Sequence, residues 1–316
     1  MNTIESLAAA LVDLLHEDSR RVLVGEDVAQ GGMLGLSRAC LDDAALAARV
    51  VPTPLLPSTL AAHAGGLALA GLRPIVLLPA AGALVECLSA LREIAALPSD
   101  RTASVLFVAP CGPGFGTGGD ALEAVEATLV RVPGLRVVCV GRAREAAATL
   151  RAAAAFDAGE EPTVLLVPRT ILLTALDDGG PSELDRPLSS ATRVREGRAI
   201  TVLAWGECVG LALAGCESAG VDATVIDVGC LAPLDRDALV DAAKDTGRVA
   251  IVHAGPRGHG IGAELAALLA DHAIHYLDAP IVRICGDDDV GDAADELRAL
   301  PGLERIAGAL EQLAAP

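Results

Sequence analysis

Residues Pro52 to Leu78 read PTPLLPSTLAAHAGGLALAGLRPIVLL. The run divides into a proline-bracketed entry, a small-residue helical stretch from Ser58 to Ala70, a Gly71-Leu72-Arg73-Pro74 turn, and an unbroken apolar run from Ile75 to Leu78. Such a run, without polar alternation, predicts a strand buried on both faces. From Ala44 to Val85 the chain has no Asp or Glu.

The same kind of strand recurs on either side, at Arg21–Gly25, Ser104–Val108, Leu135–Val140 and Thr163–Val167, with helical stretches at Asp120–Val130 and Ala143–Ala155. Short apolar strands alternating with helices predict a parallel, helix-covered sheet with right-handed crossovers. At Asp177 to Ser190 the sequence turns to DDGGPSELDRPLSS, rich in turn formers and charges, which reads as a linker. Beyond it the alternation resumes. Strands are expected at Ala199–Trp205, Ala223–Val228, Arg248–His253 and Ile281–Ile284, and helices at Cys208–Ser218, Asp235–Asp245, Gly262–His272 and Leu303–Leu313.

At 316 residues the chain is long enough for two ordinary domains. Phe107, Phe115, Phe156, Trp205 and Tyr276 are its only aromatics, so the core must be built of Ala, Val, Leu and Ile. A net charge of −18 argues against nucleic acid and favours basic protein partners. The eight cysteines show no C-x-x-C or zinc spacing, which suggests buried thiols in a reducing cytoplasm. The N-terminus reads as an amphipathic helix capped by Asn2 or Thr3, with Asn2-x-x-Glu5 as a capping box, and not as a signal peptide. Gly65, Gly66, Pro74 and Pro79 interrupt the longest apolar stretch, so no membrane span is expected.

Thr53-Pro54-Leu55 followed by Gly71-Leu72-Arg73-Pro74 resembles the catalytic-loop region of the beta subunits of thiamine diphosphate (TPP) dependent 2-oxo acid dehydrogenases, of the pyruvate and branched-chain type. GEDVAQGG at Gly25–Gly32 and PGLRVV at Pro133–Val138 are similar to the same family. So are VIDVGCLAPLDRDAL at Val225–Leu239, the glycine loop after His253, and HYLDAPIVRI at His275–Ile284. The resemblance implies two α/β domains. They would be a transketolase-like pyrimidine-binding domain with a parallel sheet at residues 1–176, a linker at 177–190, and a transketolase C-terminal-like domain at 191–316. It also implies a cofactor site bordered by Glu26, Leu56, Pro57, Ala80, Ala83, Gly114 and Gly116.

Where the family carries its cofactor-activating glutamate, this chain has Pro57. The family's stacking aromatic is expected within Pro79–Ala83, yet no aromatic occurs from Met1 to Leu106. The family's loop histidine is expected near Ala121, yet no His lies between His63 and His253. Gly229 and Ala254 stand for a family Arg and Glu. These losses imply a degenerate cofactor site. The Gly-Asp-Gly…Asn-Asn motif that holds the diphosphate through magnesium is absent, since Asn2 is the only asparagine. In two-subunit members that motif belongs to the alpha subunit. The resemblance therefore implies an alpha partner in a heterotetramer, TPP and magnesium only in that complex, self-association, and a basic docking domain of an acyltransferase core. A non-catalytic structural or regulatory subunit is the alternative.

Other groups keep two readings each. His63, six positions beyond Pro57, is a substitute acid–base group or a solvent- or interface-facing histidine. Gly114-Phe115-Gly116-Thr117-Gly118-Gly119 matches a dinucleotide-binding G-x-G-x-x-G or is a loop inherited from the active-site lip. Gly255 to Gly262 is an anion site served by Arg257 or a tight turn. Glu26-Asp27 end the first strand, as a polar site or a helix cap. Asp287-Asp288-Asp289 with Asp292 is a calcium site or a solvated turn.

Overall fold

The computed structural model describes residues 1–98, 103–114, 124–155, 161–176, 180–288 and 293–315. Its strands are β1 Arg21–Gly25, β2 Val50–Pro52, β3 Arg73–Leu77, β4 Leu106–Cys111, β5 Arg136–Cys139, β6 Thr163–Pro168, β7 Thr192–Arg195, β8 Ile200–Ala204, β9 Ala223–Asp227, β10 Cys230–Ala232, β11 Val249–His253 and β12 Val282–Cys285. The first sheet has the order β10-β5-β6-β4-β3-β1-β2 and the second β12-β11-β8-β9-β7. Pairing is parallel throughout, except that β10 and β7 run antiparallel to β5 and β9 at one edge of each sheet.

The apolar runs become the central strands. Every residue of β1, β4, β6, β8, β9 and β11 is buried. Strand β4 lies two residues later than the sequence suggests at its start and three at its end. It continues through Ala109, Pro110 and Cys111, which pair with Leu166, Val167 and Pro168 of β6. Of the helix expected over Asp120–Val130, residues 120–123 lie outside the described residues, and the described part is helical only at Glu126–Leu129, shorter than expected at both ends.

The capping box is formed at both ends: Glu5 N–H donates to Asn2 Oδ1 at 2.9 Å and Asn2 N–H to Glu5 Oε2 at 3.0 Å. It opens the helix Thr3–Glu17, whose buried Leu7, Leu11, Leu14 and Leu15 cover one face of the first sheet. The other face shares a core with the second unit. One apolar cluster runs from Val76, Leu91 and Phe107 through Val137 to Leu203, Trp205, Leu239 and Leu265. The two sheets share this core, and β10, which comes from the second half of the chain, completes the first sheet.

Among the described residues, no helix is long and apolar enough to cross a membrane. All eight cysteines are buried and unpaired.

Candidate functional site

In an open parallel sheet, ligands gather beyond the carboxyl ends of the strands. At the end of β1 stands Gly25. A Cβ there would lie 2.6 Å from Val28 Cγ1 and 2.7 Å from Leu77 O, so only glycine lets the end of β1 close against β3. Glu26 follows immediately. Gly25 pairs with Pro52 of β2, and its carbonyl accepts the Thr53 N–H at 2.9 Å. The segment from Thr53 to Leu56 is thereby laid beside Glu26 and enters the helix Pro57–Leu69.

Pro57 occupies the first turn of that helix, where its missing N–H costs nothing and its fixed φ is already helical. It is buried with Leu60, Ala61, Ala64 and Gly65 on one face. The Cys87 thiol donates to Pro57 O at 3.1 Å. Burial pushes that thiol up to about 12, and the Glu86 and Glu26 carboxylates add to the shift.

Glu26, Leu56, Pro57 and Cys87 thus meet at one place. Both Glu26 carboxylate oxygens are closed off from solvent without a hydrogen-bond partner, and so is Thr53 Oγ1. Burial raises the Glu26 pKa, the Asp27 and Glu86 charges raise it further, and the nearby Leu56 N–H partly opposes them. Unsatisfied buried oxygens are uncommon in native proteins and call for an explanation.

The remaining sequence candidates separate. His63 is exposed, on the face of the helix opposite Pro57, so the structure does not bring it to the pocket as a substitute base. Ala80 is half-buried, and Ala83 begins the short helix Ala83–Glu86, which ends on an exposed Glu86. Gly114 is tied to the second unit instead: its N–H donates to Glu296 Oε1 at 2.8 Å, and its φ is +138°. Gly116 lies outside the described residues. Arg257 does not stand free as an anion ligand, because its guanidinium donates to Arg283 O and its N–H to Asp288 Oδ1. Asp287 is paired with Arg298 and Arg305.

A second cluster escaped the sequence reading. Between the two units lies a small cavity of about 40 Å³, bordered by Cys111, Gly112, Glu126, Cys139, Trp205 and Glu207. Gly112 has φ +71°, and a Cβ there would stand 2.6 Å from Glu207 Oε1. Burial pushes the Glu207 carboxyl up to about 7, and the neighbouring Glu126 adds to this. Burial raises Glu126 as well, against bonds from its own backbone and the Trp205 side chain. Trp205 stacks on His253 with ring centroids 5.1 Å apart. His253 Nδ1 lies 2.8 Å from Ala254 O, which places the proton there. Its Nε2 then accepts the Cys285 thiol at 3.1 Å. Residues 126, 205 and 253 sit in three separate segments, so no local pattern could have joined them.

Residues 1–173 match the family model described as transketolase, pyrimidine binding domain, and residues 189–305 match transketolase, C-terminal domain. The 2-oxoisovalerate dehydrogenase subunit beta of Pseudomonas aeruginosa is 31% identical, covering 99% of this chain and 95% of that protein. That of Bacillus subtilis is 30% identical, over 91% of this chain and 90% of its own. The chain belongs to the beta-subunit family of the 2-oxo acid dehydrogenases. Among solved structures, a split gene transketolase described as an inactive beta4 tetramer superposes with a TM-score of 0.79. It is 22% identical and covers 99% of this chain and 98% of that one.

The TPP that the resemblance implies can be tested against this beta-type pocket. An aminopyrimidine placed at this strand end would meet the unsatisfied carboxyl of Glu26, whose chemistry suits a ring nitrogen. Ala80 and Ala83, the residues expected at the stacking position, would offer it no π-face. For the diphosphate half, no group of three or more His, Cys, Asp and Glu side chains placed to hold a metal occurs among the described residues.

Proposed function

We propose that this chain is the beta-type subunit of a TPP-dependent 2-oxo acid dehydrogenase-like assembly, acting with a separate diphosphate-binding alpha subunit and with altered catalytic residues. The observation that carries this reading is Pro57 in the first turn of its helix, at the strand-end pocket, where the family pattern has a glutamate. When bound, TPP supplies the carbanion-stabilising chemistry for decarboxylating a 2-oxo acid. This chain would contribute the pyrimidine side: Glu26 and Leu56 at its edge, Pro57 and Ala83 as apolar walls.

A second reading is a non-catalytic structural or regulatory subunit. The filling of the position by a buried proline with Cys87 bonded to its carbonyl favours it. Co-expression with an alpha subunit carrying Gly-Asp-Gly…Asn-Asn, followed by assays for bound TPP and 2-oxo acid decarboxylation, separates the two. Bound TPP with turnover supports the first reading, and a stable complex without turnover the second. Failure to form any complex contradicts both.

Self-association belongs to this reading. Leu55 and Leu56 are 75% and 55% exposed beside the pocket, and Leu69 at the far end of the same helix is 56% exposed, which suits a subunit contact. Light scattering is expected to give a dimer or larger, and a clean monomer at micromolar concentration would count against it. A partner docking on the second unit is expected to be basic, because the chain carries 42 acidic against 24 basic residues. Its binding should weaken as salt is added. Salt-insensitive docking would exclude an electrostatic contact.

A further inference from the structure

We propose that Glu26 is the carboxyl group that receives the ring nitrogen of the aminopyrimidine, in place of the carboxyl missing at Pro57. The inference rests on the beta-subunit reading above and adds a residue to it.

Position comes first. The Thr53 N–H bond to Gly25 O and the Gly25–Pro52 pairing hold the entry to the Pro57 helix against the end of β1. The Glu26 carboxyl lies close enough to feel the Leu56 N–H, and it acts on the Cys87 thiol that is bonded to Pro57 O, which puts it near the start of that helix. A carboxyl group there reaches the pocket from the strand instead of from the helix.

Availability comes second. Glu26 Oε1 and Oε2 make no hydrogen bond of normal geometry, with only the Leu56 N–H acting on them, and Thr53 Oγ1 is likewise unsatisfied. A buried carboxylate without bonds costs stability, and a sequence free to vary would replace it with glutamine or an apolar residue. A ligand bearing a ring nitrogen and an amino group would supply what these oxygens lack.

Chemistry comes third. A group that trades one proton with a ring nitrogen works best when its pKa lies near the working pH. Burial, Asp27 and Glu86 all move Glu26 upward, toward that range. The proton leaves the carboxyl oxygen for the ring nitrogen and returns by the same bond, with nothing oxidised or reduced.

The rivals are few. His63 faces solvent on the opposite side of its helix. The Cys87 thiol is engaged with Pro57 O and pushed up to about 12, too high to exchange a proton near neutrality. Glu86 is exposed. No carboxylate side chain at all lies between Ala44 and Val85.

The test uses the full chain, ¹³C-labelled at glutamate carboxyls, titrated by NMR with 4-amino-2-methylpyrimidine. This probe lacks the diphosphate and so needs no alpha subunit. One carboxyl resonance, missing in Glu26→Gln, is expected to move as the probe is added. Affinity should fall about tenfold or more in Glu26→Gln, the effect of losing one charge-assisted hydrogen bond. Glu86→Gln should change it by less than about threefold, as expected for an exposed charge. Thermal melts of both variants establish that they are folded.

Equal binding to wild type and Glu26→Gln would overturn the assignment and leave the beta-subunit reading intact. Binding to Pro57→Glu but not to wild type would do the same, and would show that nothing replaces the helix carboxyl. Binding to neither would overturn both the assignment and the pocket as an aminopyrimidine site.

Discussion

At pH 8, Glu207→Gln is expected to be more stable than the wild-type chain, by about 2–3 kcal/mol. Glu207 is half-buried and borders the small cavity between the two units. Burial and then Glu126 raise its pKa from 4.5 to about 7. In the unfolded chain the same group ionises near its ordinary value. Below pH 4.5 it is protonated in both states and contributes no difference. Between pH 4.5 and 7 the unfolded state loses its proton while the folded state keeps it, so stability falls as pH rises. Above pH 7 the loss is complete and constant. Glutamine has no charge to bury, so its advantage should appear across that window and vanish at pH 4. Urea melts of both proteins at pH 4 and 8 measure this directly. Equal midpoints at pH 8 would show that the Glu207 charge is solvated or paired in the fold. Asp227, 3% exposed at the end of β9 and pushed up to about 7 by burial, should give wild type a second decline with the same sign.

Phe107→Ala is expected to cost about 3–5 kcal/mol, enough to remove a large part of the stability of an ordinary domain. Phe107 is fully buried in β4 and pairs with Val76 of β3 and Val164 of β6. It belongs to the cluster that continues through Val137 into Leu203 and Leu265 of the second unit. Its neighbours are mostly Ala, Val and Leu, whose short side chains reach poorly into the space a ring leaves. Chemical denaturation should show a lower midpoint. A loss below about 1 kcal/mol would mean that the core collapses around the cavity.

The central strands were legible because burial on both faces writes a continuous apolar run. Arg21–Gly25 and the helix Cys208–Ser218 stand where the sequence puts them. The edge strand Val282–Cys285 was legible too, but the other three edge strands were not. Val50–Pro52 and Cys230–Ala232 have three residues each, and Thr192–Arg195 alternates charges. Only their pairing makes them strands, and β10 joins a sheet built mostly before the linker. The candidate site divides in the same way. Pro57 was visible as a departure from a pattern. The burial of the Glu26 carboxylate oxygens was not, because it depends on how the Thr53–Leu56 segment is laid against the end of β1. The Glu126–Trp205–Glu207 cluster depends on the packing of one unit against the other.

Calorimetry with TPP and magnesium, on the chain alone and on its complex with an alpha subunit, tests the central claim most directly. On this reading the chain would supply a pyrimidine-side carboxyl, but its sequence has no Gly-Asp-Gly…Asn-Asn motif to hold the charged half of the cofactor. The expected result is no micromolar binding by the chain alone and binding by the pair. Restoring a carboxyl with Pro57→Glu should leave the isolated chain equally unable to bind. Micromolar binding of TPP by the wild-type chain alone would contradict the two-subunit account.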